Sequence, residues 1–217
     1  MSIAYLPVEP DDPGRLVAFL TGDTWPFHGS PTVSAELAQR WIAAGRYRAS
    51  DSNRAFWITV DNADAGLIRL MDLGDSTPVF DLRLRAKYRG RGAGSQALRW
   101  LTAYLFTEFP AIHRVEGTTR QDNRAMRRTF RRAGYVKEAH YRDAWPVDGG
   151  EVYDAVGYAI LRRDWETGTV TRPDWHDERI LGRPASETRR HPARITPRAA
   201  RGGSLATRRF KRGNRIT

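Results

Sequence analysis

The chain has 217 residues, 40% of them hydrophobic and 11% aromatic, enough for one sizeable buried core. It has no cysteine, which excludes disulfides, thiolate zinc sites and a cysteine nucleophile and suits a cytoplasmic protein. The net charge of +11 is local: residues 183–217 hold eleven basic residues and one acid, leaving residues 1–182 at +1, so the high pI is no argument that the folded part binds nucleic acid.

In chain order, Ile3 to Val8 reads as a strand, and Asp11-Asp12-Pro13 opens a helix with acids and proline suited to a first turn. Residues 1–13 lack a basic segment followed by an apolar run, so no signal peptide is expected, and no apolar stretch approaches the ~18 residues of a membrane span. Trp25 to Pro31 is a loop, and Ser34 to Ala44 a helix with Leu37, Trp41 and Ile42 on one stripe. Phe56 to Val60 and Ala65 to Met71 read as a hairpin, followed by a third strand, Pro78 to Arg85. In that strand Phe80, Leu82 and Leu84 alternate with Asp81, Arg83 and Arg85, which predicts one apolar and one solvated face.

Beyond a glycine-rich connection, Ser95 to Phe106 is predicted helical, Ile112 to Thr118 a strand, and Asn123 to Ala133 a helix capped by Asn123 and stopped by Gly134. Met126, Phe130 and Ala133 face inward on that last helix, and its five arginines largely outward. Val136 to Trp145 and Glu151 to Leu161 flank a turn at Pro146 to Gly150, after which the pattern fades from Thr167. This order predicts a mixed α/β, α+β-like layer structure and not a doubly wound sheet. We expect one domain over residues 1–178 and an Arg-rich, disordered tail over 179–217.

Arg89-Gly90-Arg91-Gly92-Ala93-Gly94-Ser95 joins a strand to a helix. Glycines let backbone N–H groups approach an anion where the helix dipole is positive, and Arg89 and Arg91 add charge. There is no Gly-Lys-Ser/Thr ending and no dinucleotide fingerprint, so from the residues alone the segment is either a phosphate cradle or a flexible basic connection. Scattered histidines without cysteine give no metal spacing.

The loop resembles the Gln/Arg-x-x-Gly-x-Gly/Ala signature of the GNAT acyltransferase superfamily, met by Arg89, Gly92 and Gly94. Asn123-Arg124-Ala125-Met126 with Phe130 and Gly134-Tyr135, and the hairpin Tyr141 to Trp145 and Asp154 to Leu161, are similar to the RimJ/RimL-like subgroup. The resemblance spans about residues 1–165. It implies a mostly antiparallel central sheet splayed between its fourth and fifth strands, flanked by helices, with acetyl-CoA as co-substrate, no metal, and direct acetyl transfer to a primary amine of a small molecule, peptide or protein. It also implies CoA contacts from the main chain of Leu82, Arg83 and Leu84, from Arg89, Gly90, Arg91, Gly92, Ala93, Gly94 and Ser95, and from Asn123, Met126 and Phe130. One arginine near Asn123 is expected to reach the cofactor.

Where the family often carries a carboxylate to activate the amine, this chain has Glu116 and Asp81, with Glu116 placed first; an ion pair of Glu116 with Arg114 or Arg83, and a solvated Asp81, are the alternatives. The tyrosine that many relatives use to reprotonate the thiolate is replaced by Phe130, leaving Tyr141, Thr129 or water, or departure of the anion. Trp25, Phe27 and His28, with Trp145 opposite, are expected to line the acceptor pocket, His28 more as lid packing than as catalyst. Two other functions stay open: an inactive CoA-binding regulatory module, and an RNA- or ribosome-associated protein with weak salt-sensitive contacts through residues 183–217. Monomer and homodimer are both compatible, and no membrane partner is expected.

Overall fold

The computed structural model describes residues 2–9, 12–147 and 149–175; the tail expected over 179–217 lies outside them. Every element falls within the compact unit that runs through Arg172. Strand β1 (Ile3–Pro7) is followed by helices α1 (Pro13–Thr21) and α2 (Ala35–Ala43) and strands β2 (Asn53–Val60), β3 (Ala63–Met71) and β4 (Val79–Leu84). Then come α3 (Ala93–Glu108), β5 (Arg114–Arg120), α4 (Arg124–Arg132), β6 (Val136–Pro146), β7 (Val152–Leu161) and α5 (Arg162–Thr167). The strands form one sheet in the order β1-β2-β3-β4-β5-β7-β6.

Local chemistry sets the boundaries. Asp12 and Ser34 accept from the third backbone N–H beyond them, Arg15 N and Leu37 N, and so start α1 and α2. The β2–β3 turn is two residues long, with Asp61 and Asn62 at φ 48° and 66°, the left-handed pair that a tight hairpin needs. That turn extends β3 two residues earlier than the apolar run suggests. β5 begins and ends two residues later than expected, and α5 was not foreseen.

Every pairing in the sheet is antiparallel except β4–β5, which is parallel and reduced to the single register Val79↔Glu116. Beyond that point the two strands diverge, which is the expected splay between the fourth and fifth strands. Where they part, Gly117 of β5 faces Phe80 and Phe130 on the main core's side, and even a Cβ there would come within 2.8 Å of both rings.

Two cores sandwich the sheet. On one face Leu98, Leu101 and Leu105 of α3 and Phe130 of α4 pack on Phe56, Ile68, Phe80, Val115 and Tyr158. On the other, Leu16, Phe19 and Leu20 of α1, Ala38 of α2 and Trp25 of the connecting loop pack on Trp57 and Leu67. Each fully buried large side chain contributes about 1.5–3 kcal/mol of transfer free energy.

This second layer overturns the solvated face expected for β4. Asp81 and Arg83, 5% and 3% exposed, point under α1, α2 and their loop. Alternation of charged with apolar residues marks an exposed face only when nothing covers it.

Arg162, at the start of α5, donates from Nε to Ile112 O (2.8 Å) and from its terminal nitrogens to Phe106 O (2.7 Å) and Phe109 O (2.9 Å). One guanidinium thus satisfies the carbonyls at the end of α3 and pins the entry to β5.

Candidate active site

The loop between β4 and α3 has the conformation its glycines permit. Gly90 and Gly92 have φ of 76° and 87°, and Gly92 is the N-cap of α3 without a side-chain cap. The first-turn N–H groups of a sixteen-residue helix therefore lack side-chain partners at its positive end. They open onto a cavity of about 420 Å³ lined by Gly90, Gly92, Gly94, Ser95, Leu84 and Met126, among others. A Cβ on Gly94 would come 3.3 Å from Leu84 Cδ1, so a side chain there occupies the cradle. Bare backbone at a helix N-terminus, beside a strand with one edge left open by the splay, fits a pyrophosphate with a pantetheine arm. Arg128 and Arg132 of α4 line the same cavity, while Arg127 is held by Gln121 O and the Tyr158 hydroxyl.

Arg89 lines the cavity as well, with its guanidinium donating from Nε to Leu84 O (2.8 Å) and from Nη2 to Thr24 O (2.6 Å). Other expected cofactor residues are placed differently. Arg91 is exposed and outside the cavity lining, and Ala93 is buried. The Arg83 side chain lies on the opposite face of β4 from the cavity-lining Leu82 and Leu84. Phe130 is a core residue, stacked on Tyr158 with ring centroids 4.7 Å apart. Asn123 caps α4 through Met126 N and donates to Thr119 Oγ1 (3.0 Å), which fixes it where the cavity meets a second recess.

That recess, about 60 Å³, shares Phe27, His28, Leu82, Asn123 and Met126 with the larger cavity and adds Asp81, Thr118 and Trp145. It runs through the splay toward the α1–α2 face. His28 Nε2 lies 3.0 Å from Asp81 Oδ1, and Arg83 Nε lies 3.2 Å from Oδ2. Burial alone would raise the Asp81 pKa, but Arg83, His28 and Arg46 outweigh it and hold the carboxyl well below the usual carboxylate range. His28 Nδ1 is buried without a hydrogen-bond partner.

Phe27 and His28 line both spaces, Trp145 only the recess and Trp25 only the larger cavity, where it is fully buried with its Nε1 donating to Leu20 O. Glu116 does not join them. It stands where β4 and β5 are still paired, and its carboxylate is ion-paired with Arg114, which also holds Glu138. Tyr141 is 53% exposed on β6 and lines neither space. Tyr135 donates to or accepts from Thr102 Oγ1 at 2.7 Å in the core, where burial pushes its pKa up. His140 pairs with Asp154 on the terminal hairpin.

Sequence reasoning missed Arg46 and Tyr47, in the connection after α2. Arg46 Nη2 approaches Asp81 Oδ2 at 4.0 Å, and Tyr47 is 3% exposed. Nothing in their neighbours announces a contact made 35 residues further along the chain.

Residues 4–136 match the model of the acetyltransferase (GNAT) domain. The chain belongs to the GNAT acetyltransferase family and is an N-acetyltransferase. A relative in Bacillus subtilis (strain 168), the "Putative ribosomal N-acetyltransferase YdaF", is 26% identical over 168 residues, covering 73% of this chain and 91% of its own. RimJ of Mycobacterium smegmatis, solved in complex with a CoA disulfide, has a TM-score of 0.64 at 18% identity over 75% of this chain and 83% of that one. A spermidine N-acetyltransferase, a SpeG chimera from Vibrio cholerae and hSSAT, also reaches 0.64, at 17% identity over 76% and 99%. Equal likeness to proteins with such different names means that the fold alone does not select an acceptor. Among the described residues there is no group of three or more potential metal ligands, and no helix long and apolar enough to cross a membrane.

Proposed function

We propose that this chain transfers the acetyl group of acetyl-CoA directly to a primary amine, with His28 as the base and Asp81 holding its imidazole. The observation that carries this reading is that Asp81, paired with His28, is the one carboxylate lining either space among the described residues. The glycine loop and the open edge of β4 supply the cofactor side. Leu82, Asn123 and Met126 line both spaces and so stand between the two substrates.

With Nε2–H donated to Asp81, the lone pair of His28 is on Nδ1. As the amine nitrogen bonds to the acetyl carbon and the carbon–sulfur bond breaks, the proton leaving nitrogen passes to Nδ1. CoA departs as the thiolate, protonated by solvent. Asp81 fixes the tautomer and stabilises the imidazolium, a division of labour that an ionised, buried carboxylate suits better than direct proton abstraction. The acceptor is a small amine or the amine of a peptide or protein. A ribosomal protein is one such acceptor, suggested by the name of the Bacillus relative.

Thiol release from acetyl-CoA over a panel of amines tests the reading. His28→Gln and Asp81→Asn should lower kcat by about 10²- to 10⁴-fold with acetyl-CoA affinity retained, while Glu116→Gln should stay near wild type. Acetyl-CoA binding with no thiol release on any amine would make the chain a CoA-binding module, and unchanged rates in the His28 and Asp81 variants would remove the pair from catalysis.

A further inference from the structure

Five buried side-chain nitrogen or oxygen atoms lack a hydrogen-bond partner among the described residues, and four of them surround Asp81: His28 Nδ1, Arg46 Nε, Tyr47 Oη and Arg83 Nη1. The fifth, Arg85 Nε, lies just past the end of β4. Orphaned buried donors are rare, because each forfeits the hydrogen bond that water gave it. His28 Nδ1 keeps its lone pair for the amine proton, and the other three atoms, behind a recess lined by His28 and Asp81, are donors that describe a binding site whose ligand supplies the missing acceptor.

The charge balance defines that ligand further. Arg83 is 3% exposed, enclosed by the rings of Trp25 and Trp41 at 5.5 and 5.8 Å. Arg46 stacks 4.4 Å over Trp41, and its side chain is 24% exposed, so it meets solvent. Arg69, the cross-strand partner of Asp81, donates to Asn53 Oδ1, and its pKa is lowered by burial and by Arg46. Three guanidinium groups therefore share the single buried carboxylate Asp81, with Asp72 adding a more distant negative charge beside Arg69. A surplus of buried positive charge together with unfilled N–H and O–H donors calls for an oxyanion.

We infer that the acceptor amine carries a carboxylate, bound by Arg46, Arg83 and Tyr47 while its nitrogen faces His28. The substrate class is then an acidic amino acid or a peptide beginning with one, and a polyamine is excluded because it would bring cations to a cationic site. This inference rests on the acetyl-transfer reading above, and the recess it uses is the acceptor side of that site.

The test compares acceptors whose α-carboxyl is amidated, so that only the side-chain carboxylate differs: glutamate α-amide with glutamine α-amide, and tripeptide amides beginning with Glu or Gln, with spermidine as the cationic control. The acidic member should win by about tenfold or more in kcat/KM, mainly through KM. The arm that turns over faster separates the single amino acid from the peptide N-terminus. Arg46→Gln and Tyr47→Phe should remove most of the preference, lowering kcat/KM for acidic acceptors more than for neutral ones, while leaving acetyl-CoA affinity intact. Turnover without an acidic preference overturns the inference, as does a preference that survives both substitutions. Independently of turnover, tryptophan fluorescence of the CoA-loaded protein should saturate with N-acetylglutamate α-amide and not with N-acetylglutamine α-amide, and Arg46→Gln should abolish the response. Saturation without any turnover would keep the carboxylate site and sink the catalytic reading; no saturable difference between the two ligands overturns the site itself.

Discussion

The His28 imidazole and the Asp81 carboxylate, 53 residues apart in sequence, meet at 3.0 Å across the α1–β4 interface, with Arg83 on the carboxylate's other oxygen. Removing Asp81 strands a buried guanidinium. Asp81→Asn should therefore cost about 3–5 kcal/mol at pH 7. The Asp81 pKa is depressed in the folded state, so its stabilisation is complete above the unfolded value of about 3.9 and is lost as pH falls toward the folded value. The gap between wild type and Asp81→Asn, followed by urea unfolding, should shrink by about 1.4 kcal/mol per pH unit below that point. A gap that stays constant down to pH 2.5 would mean that Asp81 is not the titrating partner.

Gly94 separates folding from cofactor binding. Its φ is not left-handed and its missing Cβ points at Leu84 and Thr129 beside the cavity. Gly94→Phe should keep or slightly raise the melting temperature, since glycine is a poor helix residue, yet weaken acetyl-CoA binding about tenfold or more by calorimetry. Unchanged affinity would place the cofactor elsewhere.

Gly117 is constrained by packing instead. Its backbone is ordinary, but the rings of Phe80 and Phe130 leave no room for a methyl group. Gly117→Ala should destabilise by about 1–3 kcal/mol in chemical denaturation, and loss of acetyl-CoA affinity should accompany it because both rings sit at the splay.

Arg162 serves three carbonyls at once. Arg162→Gln removes at least one of those bonds along with the charge and should cost about 2–4 kcal/mol, with acceptor preference unchanged in whatever activity remains at low temperature. A loss below 0.5 kcal/mol would show that solvent replaces the guanidinium freely.

The basic segment 183–217 predicts salt-dependent retention on RNA, since released counterions weaken such contacts as salt rises. Deleting it should abolish retention at low salt while acetyl transfer to small amines persists. Equal elution of the full and shortened chains would make it a passive extension.

The glycine loop, the helix cap at Asn123 and the alternating β4 were legible because each is a local pattern, decided within a few residues. The acceptor side was not. β4 carries three charges in alternation, and only the second helical layer, invisible to periodicity, turns that face inward. Glu116 drew attention as an acid in a short strand; its pairing with Arg114, two residues away on the same strand, was open to a local reading, whereas its position before the splay depends on strand register. Asp81 stands out in the sequence as a lone carboxylate, whereas its pairing with His28 joins a strand to a loop that local pattern cannot place beside it.

Arg89 changes how variants of the signature should be interpreted. Its guanidinium joins the carbonyl of Leu84, at the end of β4, to the carbonyl of Thr24, next to Trp25 on the far wall of the same cavity. The arginine of a nominal phosphate motif here works as a rivet between β4 and the loop that carries His28. An alanine at this position would raise the apparent KM for both substrates together, and double-substrate kinetics would show coupled losses where a simple anion ligand would show only one.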